Sequence, residues 1–300
     1  MTQLTGVIKW TIYLAALLAI GPLAAAPMAA LRDATGGTDA TMLVGTSLPA
    51  GLIAGIVPLL AAAAVGLLGA RLVGPKPGMV AAGLVLFWAA WRSASIDGLM
   101  RATRSAASIW PLAIEGALLG VIGIALGALV WQAGARHAQA ADPKRRDPLT
   151  RADGGAMLAL IRMASLASGG KGGPIGAIGA GLVAAGVAAW LLAQDPLKGQ
   201  TIAAGVLAGI AAGGFSRAVA SREAPPTPIP ALIAMALLAL LGPISAIVFG
   251  GGGSRLVVHA IQGDAFPLAM LMPFDWLAGA FWGIPIGLSW ADSMVESNEK

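Results

Sequence analysis

Eight apolar stretches divide the chain, near residues 9 to 31, 43 to 70, 78 to 91, 110 to 132, 174 to 194, 199 to 216, 229 to 249 and 267 to 290, each bounded by proline, glycine or charge. Most approach or exceed the roughly 20 residues that carry a helix across a hydrocarbon core of about 30 Å. In lipid a helix satisfies its own backbone hydrogen bonds, so the pattern predicts an all-α, polytopic membrane bundle of about eight transmembrane helices. The third stretch is short and the fifth and sixth are rich in Gly and Ala, which leaves a seven-span count open. The divisions expected are a membrane half at 1–132, a cytoplasmic basic loop with an interfacial helix at 133–173, and a second membrane half at 174–300.

Composition sharpens this picture. Hydrophobic residues make up 57% of the chain and charged residues 11%, a balance that leaves too little charge to cover a soluble domain of this size. The excess of 19 basic over 14 acidic residues gathers in loops instead of along one face with interleaved aromatics, which argues for topology and against nucleic acid. Counted by alternate loops, 13 basic residues fall on one side and 6 on the other. The positive-inside rule then places both termini in the cytoplasm. Trp10, Trp110, Trp131, Trp190, Trp276 and Trp290 lie near predicted helix ends and are expected to form interfacial belts. The N-terminal stretch after Lys9 resembles a secretory signal, but Pro27 would follow the cleavage point, so it is read as an uncleaved first helix. Ala/Gly-rich composition and the lack of eukaryotic sorting signals point to a bacterial inner membrane.

A repeated pattern underlies the even-numbered stretches. Gly-x-x-x-Gly followed by Ile or Val occurs at Gly51/Gly55, Gly116/Gly120, Gly205/Gly209 and Gly279/Gly283, once in each. Small residues at this spacing let helix backbones approach closely. These eight glycines are therefore predicted packing positions, and the chain is read as four diverged helical hairpins, stretches 1/2, 3/4, 5/6 and 7/8. Such repeats accompany transporter sites at the repeat interface, and they also occur in bundles that only pack.

Candidate chemistry follows from the repeat. Glu115 precedes Gly116 inside the otherwise apolar PLAIEGALLG, and Ser47, Thr201 and Asp275 stand four residues before the first glycine of their copies. Glu115, Asp275, Ser47, Thr201 and Arg92 form the predicted substrate-binding set near the outer ends of the even helices. A carboxylate at such depth must be paired, hydrated or protonated. Pairing with Arg32, Arg92 or Arg255 would make it structural; Glu115, with no basic residue within one turn of its own helix, is expected instead to be protonatable. Residues 92 to 108 predict an interfacial helix with Ile96, Leu99, Met100 and Ala107 on one face and Asp97, Arg101 and Arg104 opposite.

Several chemistries lack their residues. Without cysteine there are no disulfides or thiolate ligands, and His137 and His259 alone do not make a metal or haem site, so neither cofactor nor metal is expected. SGGKGGP at 168 to 174 misses the spacing of a phosphate loop and reads as a hinge. Nucleophile-elbow and zinc-protease motifs are absent, GGGGSRLVVHAIQGD reads as a flexible outer loop, and no catalytic residue is assigned. The expected function is a small-solute transporter or permease component; the alternatives are a non-transporting scaffold or assembly subunit and, behind it, a lipid-modifying intramembrane enzyme. Expected partners are the lipid bilayer, a membrane or cytoplasmic protein reached through 133–173, and a further copy of the chain.

Overall fold

The computed structural model describes residues 2–31, 41–44, 47–141, 173–220, 227–251 and 253–297. Predictions on Arg32 and on residues 142–172 of the basic loop with its interfacial helix fall outside them. The described residues are mostly helical, with no strand among them. The order is α1 (Thr2–Ala15), α2 (Gly21–Ala24), α3 (Leu48–Leu72), α4 (Pro75–Arg92), α5 (Ile96–Thr103), α6 (Ile109–Ala141), α7 (Gly173–Leu192), α8 (Lys198–Val219), α9 (Ile229–Phe249), α10 (Gly253–Gln262), α11 (Pro267–Met270) and α12 (Pro273–Ser297).

Among the described residues, seven segments are long and apolar enough to cross a membrane: Leu4–Ala24, Leu48–Leu72, Pro75–Thr103, Ala106–Arg136, Gly173–Leu192, Lys198–Val219 and Ile229–Phe249. The eighth predicted stretch is occupied by α12, whose aspartates, prolines and tryptophans dilute its apolar content. Its surroundings are protein: Phe274, Trp276, Ala278, Phe281, Ile284 and Leu288 are buried, and it packs against α8, α4, α9 and α6. A helix sheltered in this way does not need a lipid-facing surface.

Close backbone approach organises the packing around α12. Side chains added at Gly205, Gly209 and Gly213 of α8 would collide with the carbonyl oxygens of Asp275, Gly279 and Ile284. Side chains at Gly279, Gly283 and Gly287 would collide with the backbone of Gly205, Val206 and Ile210. The two glycine ridges thus face each other across one seam, between helices predicted to lie in different hairpins. Gly116 of α6 meets the backbone of Ala239 and Gly120 meets Ala236, both in α9. Gly51 and Gly55 of α3 face Met42, which precedes their own helix, so this copy seats a connecting segment and not another helix. α7 and α8 pack side by side.

Local details explain other joins. α1 passes through a π-helical turn at Ala16–Ile20, and the Trp88 indole donates to the Leu17 carbonyl at 2.6 Å, tying this peripheral helix to α4. The bundle has two ends, one bearing Asp275 with α5 and α10, the other bearing Asp292 with the α3–α4 turn.

Four predictions are corrected. Trp131 and Trp276 are buried core residues, 5% and 1% exposed, whereas Trp10, Trp110, Trp190 and Trp290 are exposed. Residues 253 to 262 form helix α10, not a loop, because Leu256 and Ala260 give one turn-spaced face to bury. The amphipathic segment after α4 is α5, and its Ile96, Leu99 and Met100 are buried while Ala107 lies exposed beyond its end. Helix α6 runs on to Ala141, into the stretch assigned to the long loop.

Candidate functional site

Two buried carboxylates stand near the Asp275 end, and the fold gives them different company. Asp275 is the third residue of α12, after Pro273, and its Oδ2 accepts the Met272 amide at 2.9 Å. This is the carboxylate arm of a capping box, and it fixes the side chain at the positive end of the helix dipole. Lys198 opens α8, where a cation is electrostatically disfavoured by the same dipole effect. Its ammonium compensates by donating to Asp275 Oδ1 at 3.2 Å, to Asp275 Oδ2 at 3.3 Å and to Ser93 Oγ at 3.0 Å. The Lys198 side chain is 15% exposed and that of Asp275 is fully buried. Ser93 donates onward to the Ala90 carbonyl at 2.8 Å, and Thr201 bonds the Lys198 carbonyl at 3.2 Å while its hydroxyl also faces Asp275. Helices α4, α8 and α12 are thereby joined through one ion pair.

The same three helices are joined again at the other end. Asp292 accepts from Lys76 of α4 at 3.1 Å and from Arg217 of α8 at 2.9 Å. Asp275 and Asp292 are seventeen residues apart in one helix. At 1.5 Å per residue that is about 26 Å, slightly less than a hydrocarbon core of about 30 Å. Between them the glycine seam of α8 and α12 is closed. The nearby cavity bounded by Gly120, Gly123, Pro273 and Trp276 has a volume of only about 10 Å³.

Glu115 belongs to a separate arrangement. Its side chain is 1% exposed and Oε2 accepts the Leu43 amide at 3.0 Å, with the Met42 amide and the Thr41 hydroxyl also facing the carboxyl group. Residues 41–44 form a strap over α3, closed on itself by Thr41 N–H to the Val44 carbonyl at 2.7 Å and by Val44 N–H to Thr41 Oγ1 at 3.1 Å. The Met42 side chain fills the space above Gly55, and its carbonyl lies over Gly51. Glu115 thus fastens the segment preceding α3 to α6.

Of the predicted set, the structure brings Asp275 and Thr201 together and places Glu115 elsewhere, with no shared hydrogen-bond partner. Ser47 is exposed at the N-cap of α3 and makes no side-chain cap bond. Arg92 is half-buried and shows no ion pair among the described residues. The cation beside Asp275 is Lys198, which sequence reasoning had counted only as a loop charge. A signal for it existed: Lys198 and Thr201 are three apart on one helix face, at the same end as Asp275. His259 and Ser254 are exposed on α10, and no group of three or more potential metal-ligating side chains occurs among the described residues. No protein-family model matches the chain, and neither a curated protein nor a solved structure matches it.

Proposed function

We propose that the chain is an eight-span protein of a bacterial inner membrane, with both termini cytoplasmic, that acts as a small-solute transporter or permease component. The observation that carries the reading is the Asp275–Lys198 ion pair, buried at one end of the central helix and echoed by Asp292–Lys76–Arg217 at the other. Charges inside a membrane bundle are costly and tend to mark solute or proton paths. Here they also tie one helix to the same two neighbours at both ends, so opening one cluster while the other holds would expose the bundle interior to one side at a time. In this reading Asp275 and Lys198 contact the solute or its coupled proton, Thr201 and Ser93 supply neutral hydroxyls, and Glu115 holds the strap.

The closed glycine seam and the small size of the neighbouring cavity favour a second reading, a scaffold or assembly subunit whose ion pairs only hold helices in register. A thermal-shift screen of purified protein in detergent against a metabolite panel separates the two, since ligand binding to the native state raises stability by mass action. A transporter gives a ligand shift that disappears in Asp275→Asn; a scaffold gives a flat profile and co-purifies with a partner after crosslinking. For orientation, the natural lack of cysteine leaves a clean background. Asp264→Cys is expected to react with a membrane-impermeant thiol reagent in intact cells, and Arg145→Cys and Lys300→Cys to be protected. Labelling at position 145 would overturn the assigned topology.

A further inference from the structure

The Asp292 end carries a second feature that the transport reading does not use. A cavity of about 520 Å³ opens between α3 and α6, lined by Leu67, Arg71, Leu129, Gln132, Ala133 and Arg136. The Gln132 side-chain nitrogen is buried and has no hydrogen-bond partner among the described residues. Gln132 lines the cavity with this nitrogen just behind the wall, and because buried amide donors are nearly always bonded, a turn of the side chain toward an acceptor in the cavity would answer it. Arg71 and Arg136 both line the same space, and no acidic residue does. Neither arginine forms an ion pair among the described residues, unlike Lys76 and Arg217 at this end, which Asp292 already engages.

Position identifies the kind of acceptor. Arg136 is the last residue of its apolar segment and Arg71 is the next-to-last of its own, so both stand where a hydrocarbon core gives way to headgroups. Planar guanidinium groups match phosphate oxygens through paired, charge-assisted hydrogen bonds. Leu67, Leu129 and Ala133 continue the wall as apolar surface, and Leu129 is 43% exposed. We propose that this cavity binds the phosphate headgroup of an anionic phospholipid, with Arg71 and Arg136 holding the phosphate, Gln132 donating a further hydrogen bond, and an acyl chain lying along Leu67 and Leu129. Recognition of this kind, by basic side chains between membrane helices, differs from diffuse attraction to a basic loop because it depends on three named side chains.

The full chain, stripped of lipid in neutral detergent, is titrated with phosphatidylglycerol, phosphatidylcholine or inorganic phosphate while binding is followed by native mass spectrometry and by melting temperature. Phosphatidylglycerol is expected to bind and raise the melting temperature, and the other two are not. In Arg71→Gln/Arg136→Gln and, separately, in Gln132→Glu, affinity for phosphatidylglycerol is expected to fall at least about tenfold, with the melting temperature in phosphatidylcholine unchanged. The milder Gln132→Leu keeps the proposal testable if either of those variants unfolds, and is expected to weaken binding in the same direction. Equal binding of the two lipids, or unchanged phosphatidylglycerol affinity in the folded variants, overturns the proposal. A response to inorganic phosphate with none to phosphatidylglycerol overturns the lipid assignment in favour of a free anion.

Discussion

Glu115 and Asp275 are both buried carboxylates near one end of the bundle, yet across the packing one is answered by the backbone of a strap and the other, already capping its own helix at Met272, by an ammonium. The amides that meet Glu115 belong to residues 42 and 43, in a strap whose hydrogen bonds to α6, among the described residues, go to this acid. Removing that acid frees a connection. Asp275 and Lys198 each stand in the first turn of a helix of the central seam, and the loss of either leaves the other's buried charge unanswered. The contrast teaches that depth alone does not assign a role to a membrane carboxylate. What matters is whether the partner that reaches it from another element is fixed backbone, which has one arrangement, or a flexible side chain, which can let go.

The largest effect expected from this contrast comes from breaking the ion pair on one side only. Lys198→Met or Asp275→Ala leaves an unpaired buried charge and is expected to cost about 3–5 kcal/mol in denaturant unfolding or detergent thermal stability, whereas the combined change recovers much of the loss. A double variant as unstable as the sum of the single ones would show that the two residues do not act as a pair. Next comes the seam beneath them. Gly283→Leu drives a side chain into the Val206 carbonyl and Ile210 amide, and Gly120→Leu into Ala236; each is expected to destabilise by about 1–3 kcal/mol or more. Gly186→Leu is the control, since a side chain there first meets Leu238 at an ordinary 3.7 Å.

On the other side of the comparison, Glu115→Ala is expected to cost about 1–3 kcal/mol by stranding the strap amides, and Glu115→Gln less, because the amide oxygen can still accept from Leu43. Increased protease cutting between residues 32 and 47, measured against total unfolding, would register the released strap. If Glu115→Ala melts the whole bundle with no local opening, the strap assignment is wrong. The smallest effect is expected at Lys76→Ala: its side chain is 31% exposed and Arg217 still holds Asp292, so the change should stay below about 1 kcal/mol.

The helices were legible because lipid imposes a length, and the apolar stretches ending at Phe249 and beginning near Ile109 carry that length plainly. Residues 253 to 262 were harder: a run of glycines introduces a helix too short to show more than Leu256 and Ala260 as its buried face. The glycine pattern pointed to close approach but could not name what approaches. At Gly51 and Gly55 the neighbour is Met42, only nine residues before Gly51, and at Gly205 it is a helix seventy residues away. Asp275 could be picked out as an acid beside the repeat. Lys198 could not be paired with it by counting charges per loop, because that count treats every basic residue between two stretches as facing water. As the first residue of α8, Lys198 instead turns inward to a capping-box carboxylate of α12. Arg92, a better sequence candidate because it follows an apolar stretch directly, shows no such pair among the described residues.

Solute uptake into proteoliposomes is the measurement that tests the central claim most directly. Wild-type protein, Asp275→Asn and Glu115→Gln are reconstituted at equal folded amounts and assayed with the solutes that shift the wild-type melting temperature. Uptake by wild type and by Glu115→Gln, with loss in Asp275→Asn, is the predicted result, because the proposed path runs through the carboxylate bound by Lys198 and not through the one bound by the strap. Uptake that survives Asp275→Asn but fails in folded Glu115→Gln, or no uptake by the wild type at all, would contradict it.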